Sequence, residues 1–428
     1  MTKRIYALLM ALTLALVGCA CSPAAPAAEP VAKVDLEPVT DTHTDPQPEA
    51  EPVANPAADP AVPAKPLDAA MSDFGVQLLQ KAAKPGENCL ISPLSAYLAL
   101  SMAANGAAGQ TLTQMETALG MDLAALNDAA KALMASDETL HLANAIWFRD
   151  DPSLQVSDDF LSACGDAYQS WAEAVPFDDR TLAQINQWVA QQTNNMIPSL
   201  LSELPDDLQL LLANALCFEA KWESPYREQN LRDGFFTTEG HESRQVEMMS
   251  STEMTYLKDA DSSGFLKPYE GGRYAFGALL PNAGLSMEKY LSGLSGERLR
   301  TLLDGAEAHK VDAQMPAFTS DTAVTLNNAL QAMGMTDAFD PDIADLSAMG
   351  SSGVGNLFIS SVLQKTHIEV DAQGTKAAAV TAITVATCAA PNPDDPIVIR
   401  LDRPYVYFIL DLEQNVPIFI GVMMDPAA

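Results

Sequence analysis

Positive charge is scarce in this chain. Its 428 residues carry 24 lysines and arginines against 56 aspartates and glutamates, a formal net charge of −32. Binding to nucleic acid through phosphate attraction is therefore excluded, and docking on anionic lipid headgroups is disfavoured. Such acidity favours solubility and can steer in a basic protein. Histidine is sparser still, with five residues scattered singly. Also missing are a G-x-S-x-G elbow, a Walker loop, a dinucleotide-type glycine fingerprint and an H-E-x-x-H motif. Nothing assembles a nucleophile, a base and an oxyanion hole, so the chain does not read as an enzyme. His141, inside an apolar stretch, and His367 read as hydrogen-bonded structural residues, and His43 as a solvated bystander.

Cysteine is thinly spread, at positions 19, 21, 89, 164, 217 and 388. No spacing suits a zinc site, so neither a metal nor a cofactor is expected. Most of these thiols read as small buried hydrophobes rather than a disulfide framework. Long apolar runs are also few. The clearest, Ile5 to Val17, comes after Lys3 and Arg4 and is too short to span a bilayer comfortably. It ends Leu16-Val17-Gly18-Cys19, the form of a bacterial lipoprotein cleavage box. Residues 1–18 are thus expected to be a signal peptide, and Cys19 the lipidated first residue of the mature chain. The alternative is an ordinary secretory signal with an incidental cysteine. Each buried CH₂ contributes about 0.8 kcal/mol, so two or three acyl chains would anchor the protein stably at the extracellular side of the membrane.

Residues 19–66 are dominated by Ala and Pro, with scattered acids and almost no large apolar side chain. This segment cannot bury enough surface to offset chain entropy and reads as an extended tether. Residues 67–428 have no second linker of that kind and no internal repeat, and are expected to form one domain. Helical patterns are read at Met71–Ala82, Pro93–Ala104, Thr111–Leu119, Leu182–Asn194 and Leu326–Met333. Strands are read at Leu140–Phe148, Leu208–Phe218, Met248–Leu257, Arg273–Leu280 and Val311–Phe318, and Ile359–Val370 leads into a loop. Helices and strands mix without regular βα alternation, which indicates an α+β fold with a large antiparallel or mixed sheet.

The most informative stretch runs from Gly374 to Cys388. Between Thr375 and Ala390 there is no Gly, no Pro and a single charge, Lys376, while Ile, Val and Thr recur. Every second residue from Thr375 is small or apolar and uncharged, so that face can be buried in a sheet. Yet the next residues are Pro391-Asn392-Pro393-Asp394-Asp395-Pro396, a run that no sheet interior continues. A strand-competent segment that ends in an exposed turn points to a loop able to change state.

Gly374-Thr375 and the small run Ala377-Ala378-Ala379 resemble the hinge of the serpins, the serine protease inhibitor superfamily. Leu401-Asp402-Arg403-Pro404-Tyr405-Val406-Tyr407-Phe408 and Pro417-Ile418-Phe419-Ile420-Gly421-Val422 are similar to the strands after the family's reactive loop. Asn88 to Ser95 and Asn214 to Trp222 resemble its long second helix and a central-sheet strand. The resemblance implies the serpin fold, with a large, mainly antiparallel central sheet, smaller sheets, a surrounding set of helices and an exposed reactive-centre loop. It also implies a monomer whose loop baits a serine protease and then inserts into the sheet. Counting by the family's register, the reactive bond would be Cys388-Ala389, within Val385 to Ala390. Small side chains there imply an elastase-like protease, with a cysteine protease or a non-inhibitory surface scaffold as alternatives. An exposed Cys388 thiol would also be open to oxidation.

Three departures accompany the resemblance. Ala372 and Ala317 stand where many members pair a Glu with a Lys, and losing both avoids an orphan buried charge. Lys376 replaces a common Glu on the solvent-facing side. Gln364 stands for a His that bonds near Ser92, Ser95 and Asn214, and supplies both a donor and an acceptor.

Overall fold

The computed structural model describes residues 65–134, 139–206, 208–375 and 396–427. Residues 1–18 expected as a signal segment, Cys19, nearly all of the expected tether, Lys376, Ala377, Ala378, Ala379 and the Cys388-Ala389 bond lie outside the described residues.

The helix Leu67–Ala82 buries Met71, Phe74, Leu78 and Leu79, the three-and-four spacing of a single apolar face. Pro93–Ala104 is buried almost all round. Ser92 caps it by accepting from Ser95 N at 3.1 Å, and Pro93 supplies a first position that needs no N–H. The helix Asp179–Gln192 starts the same way, with Asp178 accepting from Thr181 N. Its Ile185 and Val189 pack with Trp147, Ala145 and Ala213, and Trp188 meets Trp147 edge-on at 5.2 Å. Among the helices that add to those expected from the sequence are Leu123–Leu133 and Asp158–Tyr168. Both are short, and their caps, Asp122 and Ser157, are common residue types that only the folded geometry distinguishes.

A nine-stranded sheet carries most of the core. Its hairpin Tyr405–Asp411 and Val416–Met423 and the strand Tyr274–Pro281 are buried along their whole length. Hence these strands read as continuous apolar runs rather than alternating ones. All its pairings are antiparallel except Glu307–Pro316 with Ile397–Arg400. Burial pushes the Cys89 and Cys164 thiols up to about 11 and about 12, so they stay protonated and inert. One expectation is corrected. His141 is exposed, because it falls on an outward-facing position near the start of the strand Leu140–Arg149, whose buried run begins at Asn144. His367 is partnered, with Nδ1 2.6 Å from Asp321 Oδ1 across the neighbouring strand.

Two smaller sheets position the site. In one, Leu140–Arg149 lies between Trp171–Val175 and Leu210–Phe218. The other runs Phe318–Thr325, Leu363–Val370, Gly374–Thr375, Ala220–Lys221. Ala220–Lys221 directly extends Leu210–Phe218 along the chain, so the two sheets are joined at one end through Gly374–Thr375. Along the rest of their length, Leu210–Phe218 and Leu363–Val370 are not paired with each other among the described residues.

Candidate functional site: a split sheet with the loop hinge at its closed end

Gly374 and Thr375, the expected hinge, are built from a tight turn. Asp371 Oδ1 accepts from the amides of Gln373 and Gly374 at 2.7 and 3.0 Å, and Asp371 N donates to the Gly374 carbonyl at 3.0 Å. This sends the chain back antiparallel to Leu363–Val370 and places Thr375 opposite Val370. On its other side Gly374 pairs with Lys221, and Thr375 with Ala220. Gly374 is needed for close approach, because an added Cβ would lie 2.1 Å from the Ala220 carbonyl oxygen.

Trp222 and Tyr226 hold the turn by its carbonyls. Trp222 N donates to Gln373 O at 2.9 Å and its indole Nε1 to Asp371 O at 2.8 Å, while Tyr226 N donates to Ala372 O at 2.8 Å. Three successive carbonyls are thus satisfied by two residues. Thr375 is 1% exposed, and its hydroxyl lies 2.5 Å from that of Tyr269. Tyr269 stacks on Trp222 at 4.5 Å, and burial raises its phenol pKa far above the usual range, so it remains a neutral hydrogen-bonding group. Ala372 and Ala317 both pack partly buried against the core as small apolar side chains.

Beyond Thr375 the sheet gapes. A cavity of about 360 Å³ lies there, with Leu210, Leu212 and Asn214 on one side and Leu363, Gln364 and Lys365 on the other. The strand Leu363–Val370 alternates strictly, burying Gln364, Thr366, Ile368 and Val370. Gln364 clasps Ser92 twice, accepting from Ser92 N at 3.0 Å and donating to Ser92 O at 2.9 Å. Thr366 donates to Leu90 O at 2.9 Å, and Ser92 Oγ donates to Ile418 O at 2.8 Å. One expected neighbour differs: Asn214 donates to Asn144 Oδ1 at 2.9 Å, on the other side of the gap, instead of joining the Gln364 clasp. The strand Leu363–Val370 is thus fastened from below, while the edge facing the gap has no partner beyond Val370 among the described residues. Unpaired edges of this kind are templates for a further strand.

Of the proposed site residues, Gly374 and Thr375 lie at this closed end. Sequence reasoning passed over Asp371, Tyr226 and Tyr269. The available signal was modest: Asp371 three residues before a glycine, and Tyr269 just ahead of the Gly271-Gly272 turn.

A sheet that is split among the described residues, with Gly374–Thr375 seated at one end of the gap, defines a class of strand-accepting inhibitor folds. Residues 69–426 match the family model for Serpin (serine protease inhibitor), and the chain belongs to the serpin family. It is 30% identical over 375 residues to an uncharacterized serpin-like protein of Thermococcus kodakarensis, covering 85% of this chain and 86% of that one. It is 31% identical to a leukocyte elastase inhibitor of Bos taurus, covering 84% of this chain and 99% of the relative. Among solved structures, the native state of the thermophilic serpin tengpin matches with a TM-score of 0.78 at 38% identity, covering 84% of this chain and 94% of that one.

Proposed function

We propose that this protein is an inhibitory serpin that traps serine proteases of small-residue specificity at a bacterial cell surface. One observation carries the reading. Gly374–Thr375 already bridges Ala220–Lys221 and Val370, and beyond them two strand edges face each other without pairing among the described residues. A strand entering that slot would begin at Lys376, and the segment on to Thr387 has the neutral alternate face that burial demands.

In this reading the protease serine attacks the carbonyl of Cys388. The amine of Ala389 leaves with the proton that the protease's own base delivers, and an ester links the two proteins. The freed loop then zips into the slot from Lys376 onward, continuing the seated Gly374–Thr375. Thirteen residues from Thr375 to Thr387 span roughly 43 Å at about 3.3 Å each, enough to carry the protease across the sheet. The side chains of Val385-Ala386-Thr387-Cys388 suit a shallow apolar pocket, and Arg400 is the first basic residue beyond the bond. Cys19 would anchor the protein by lipid, and Cys19→Ser is expected to release it from membranes; retention there would refute the anchor.

The test mixes the domain, residues 67–428, with neutrophil or pancreatic elastase, then reads a denaturing gel and intact masses. A covalent complex and a released fragment starting at Ala389 are expected. Clean cleavage without complex by every small-pocket serine and cysteine protease tried would point to a non-inhibitory member.

A further inference from the structure

A buried ion pair lies beside the segment that grips the hinge. Lys267 and Glu253 are only 1% and 5% exposed, and Lys267 Nζ donates to Glu253 Oε1 at 2.9 Å. The same ammonium donates to the Ser224 carbonyl at 3.1 Å. It also sits 4.5 Å from the ring centre of Tyr226 and 5.2 Å from that of Trp222. Glu253 Oε1 accepts a further bond from Ser251 Oγ at 2.6 Å, and Ser251 Oγ lies 3.4 Å from the Tyr226 hydroxyl. Both charges are therefore paired and hydrogen-bonded, the condition under which burial is tolerated.

The ammonium joins three points of one short segment: the Trp222 ring, the Ser224 carbonyl and the Tyr226 ring. Cation–π attraction is strongest when desolvated, as here. Trp222 and Tyr226 are the two residues whose N–H groups take the carbonyls of Asp371, Ala372 and Gln373. Any loosening of residues 222–226 is thus passed directly to the hinge. Hydrophobic packing alone would fill this space without fixing the Ser224 carbonyl.

We propose that the Lys267–Glu253 pair is a positioning device that holds residues 222–226 so the hinge stays docked, and so sets the fraction of loop cleavages that end in trapping. The proposal rests on the protease-trapping function proposed for this chain. Insertion continues from the seated Thr375 with Lys376, so a docked hinge begins sooner than one that must first find the slot. The competing event, release of the protease from the acyl-enzyme, is unaffected by the pair.

The test replaces both charges by similar-length apolar side chains, Lys267→Met with Glu253→Met, so that no orphan charge remains. Lys267→Met with Glu253→Gln is the substitute if the first variant does not fold. Hydrogen exchange, without any protease, is read at the amides of Trp222 and Tyr226. Exchange at least about tenfold faster than in the parent is expected there, with protection kept in the hairpin of strands Tyr405–Asp411 and Val416–Met423. Against elastase, the ratio of complex to cleaved inhibitor is expected to fall severalfold while the rate of loop cleavage is unchanged. Unchanged exchange at both amides in a folded variant overturns the proposal, whether or not any protease is trapped. Faster exchange with an unchanged ratio overturns the link to trapping. If the parent protein traps nothing, the trapping function itself fails, and exchange alone decides whether the pair holds the hinge.

Discussion

Thr375→Arg tests the insertion mechanism most directly. Thr375 points inward, 1% exposed, with its hydroxyl against Tyr269 and its backbone between Ala220 and Val370. An arginine there must bury a guanidinium beside Tyr269, whose phenol stays neutral, or pull the hinge out of the sheet. Burying an uncompensated charge costs several kcal/mol, and losing the hydroxyl bond adds to that. Taking about 3 kcal/mol as the part felt in the insertion step, insertion slows by roughly 150-fold. Trapping competes with hydrolysis of the acyl-enzyme. If the parent protein inserts about ten times faster than it is hydrolysed, the variant inserts roughly fifteen times slower than hydrolysis. The stoichiometry of inhibition then rises from near one to about sixteen inhibitors cleaved per protease trapped. The assay titrates elastase with each protein and counts residual activity, with a denaturing gel to separate complex from cleaved inhibitor. Thr375→Ser, which keeps the hydroxyl, is expected to behave like the parent. A stoichiometry below about two for Thr375→Arg would refute the reasoning, because insertion would then proceed with a charge at its leading position.

Gln364→Leu should destabilise the native fold by about 1–3 kcal/mol, since it orphans the N–H of buried Ser92, whose carbonyl keeps its bond from Ala96 N; urea unfolding reads this out. Gly374→Ala should loosen the hinge, because its Cβ would meet the Ala220 carbonyl; a stoichiometry of inhibition above that of the parent, with the unfolding midpoint little changed, is the expected pattern. Trp222→Phe removes the indole N–H that donates to Asp371 and should cost about 1–3 kcal/mol, and it should speed exchange at the Gly374 amide.

Much of the architecture was legible from local pattern. The helices at Leu67–Ala82 and Pro93–Ala104 come from apolar spacing, a capping Ser92 and Pro93 at the first turn. The strands Leu140–Arg149 and Leu210–Phe218 come from apolar runs of β-formers. The outward turn of His141 was not legible, because which face of a strand is buried depends on what packs against it. The split between Leu210–Phe218 and Leu363–Val370 was equally out of reach, since a β-rich segment does not state which edges remain unpaired.

The sequence by itself determined the acidic balance, the most regular of the helices and strands, and a run of small residues after Thr375 whose alternate face carries no charge. Those properties live in residue type and short-range spacing. Only the tertiary structure decided that Gly374 serves close approach to Ala220, that Trp222 and Tyr226 divide three hinge carbonyls between them, and that Lys267 finds Glu253. Each joins residues distant in the chain, and burial has to remove water before a hydrogen bond or ion pair between them becomes selective.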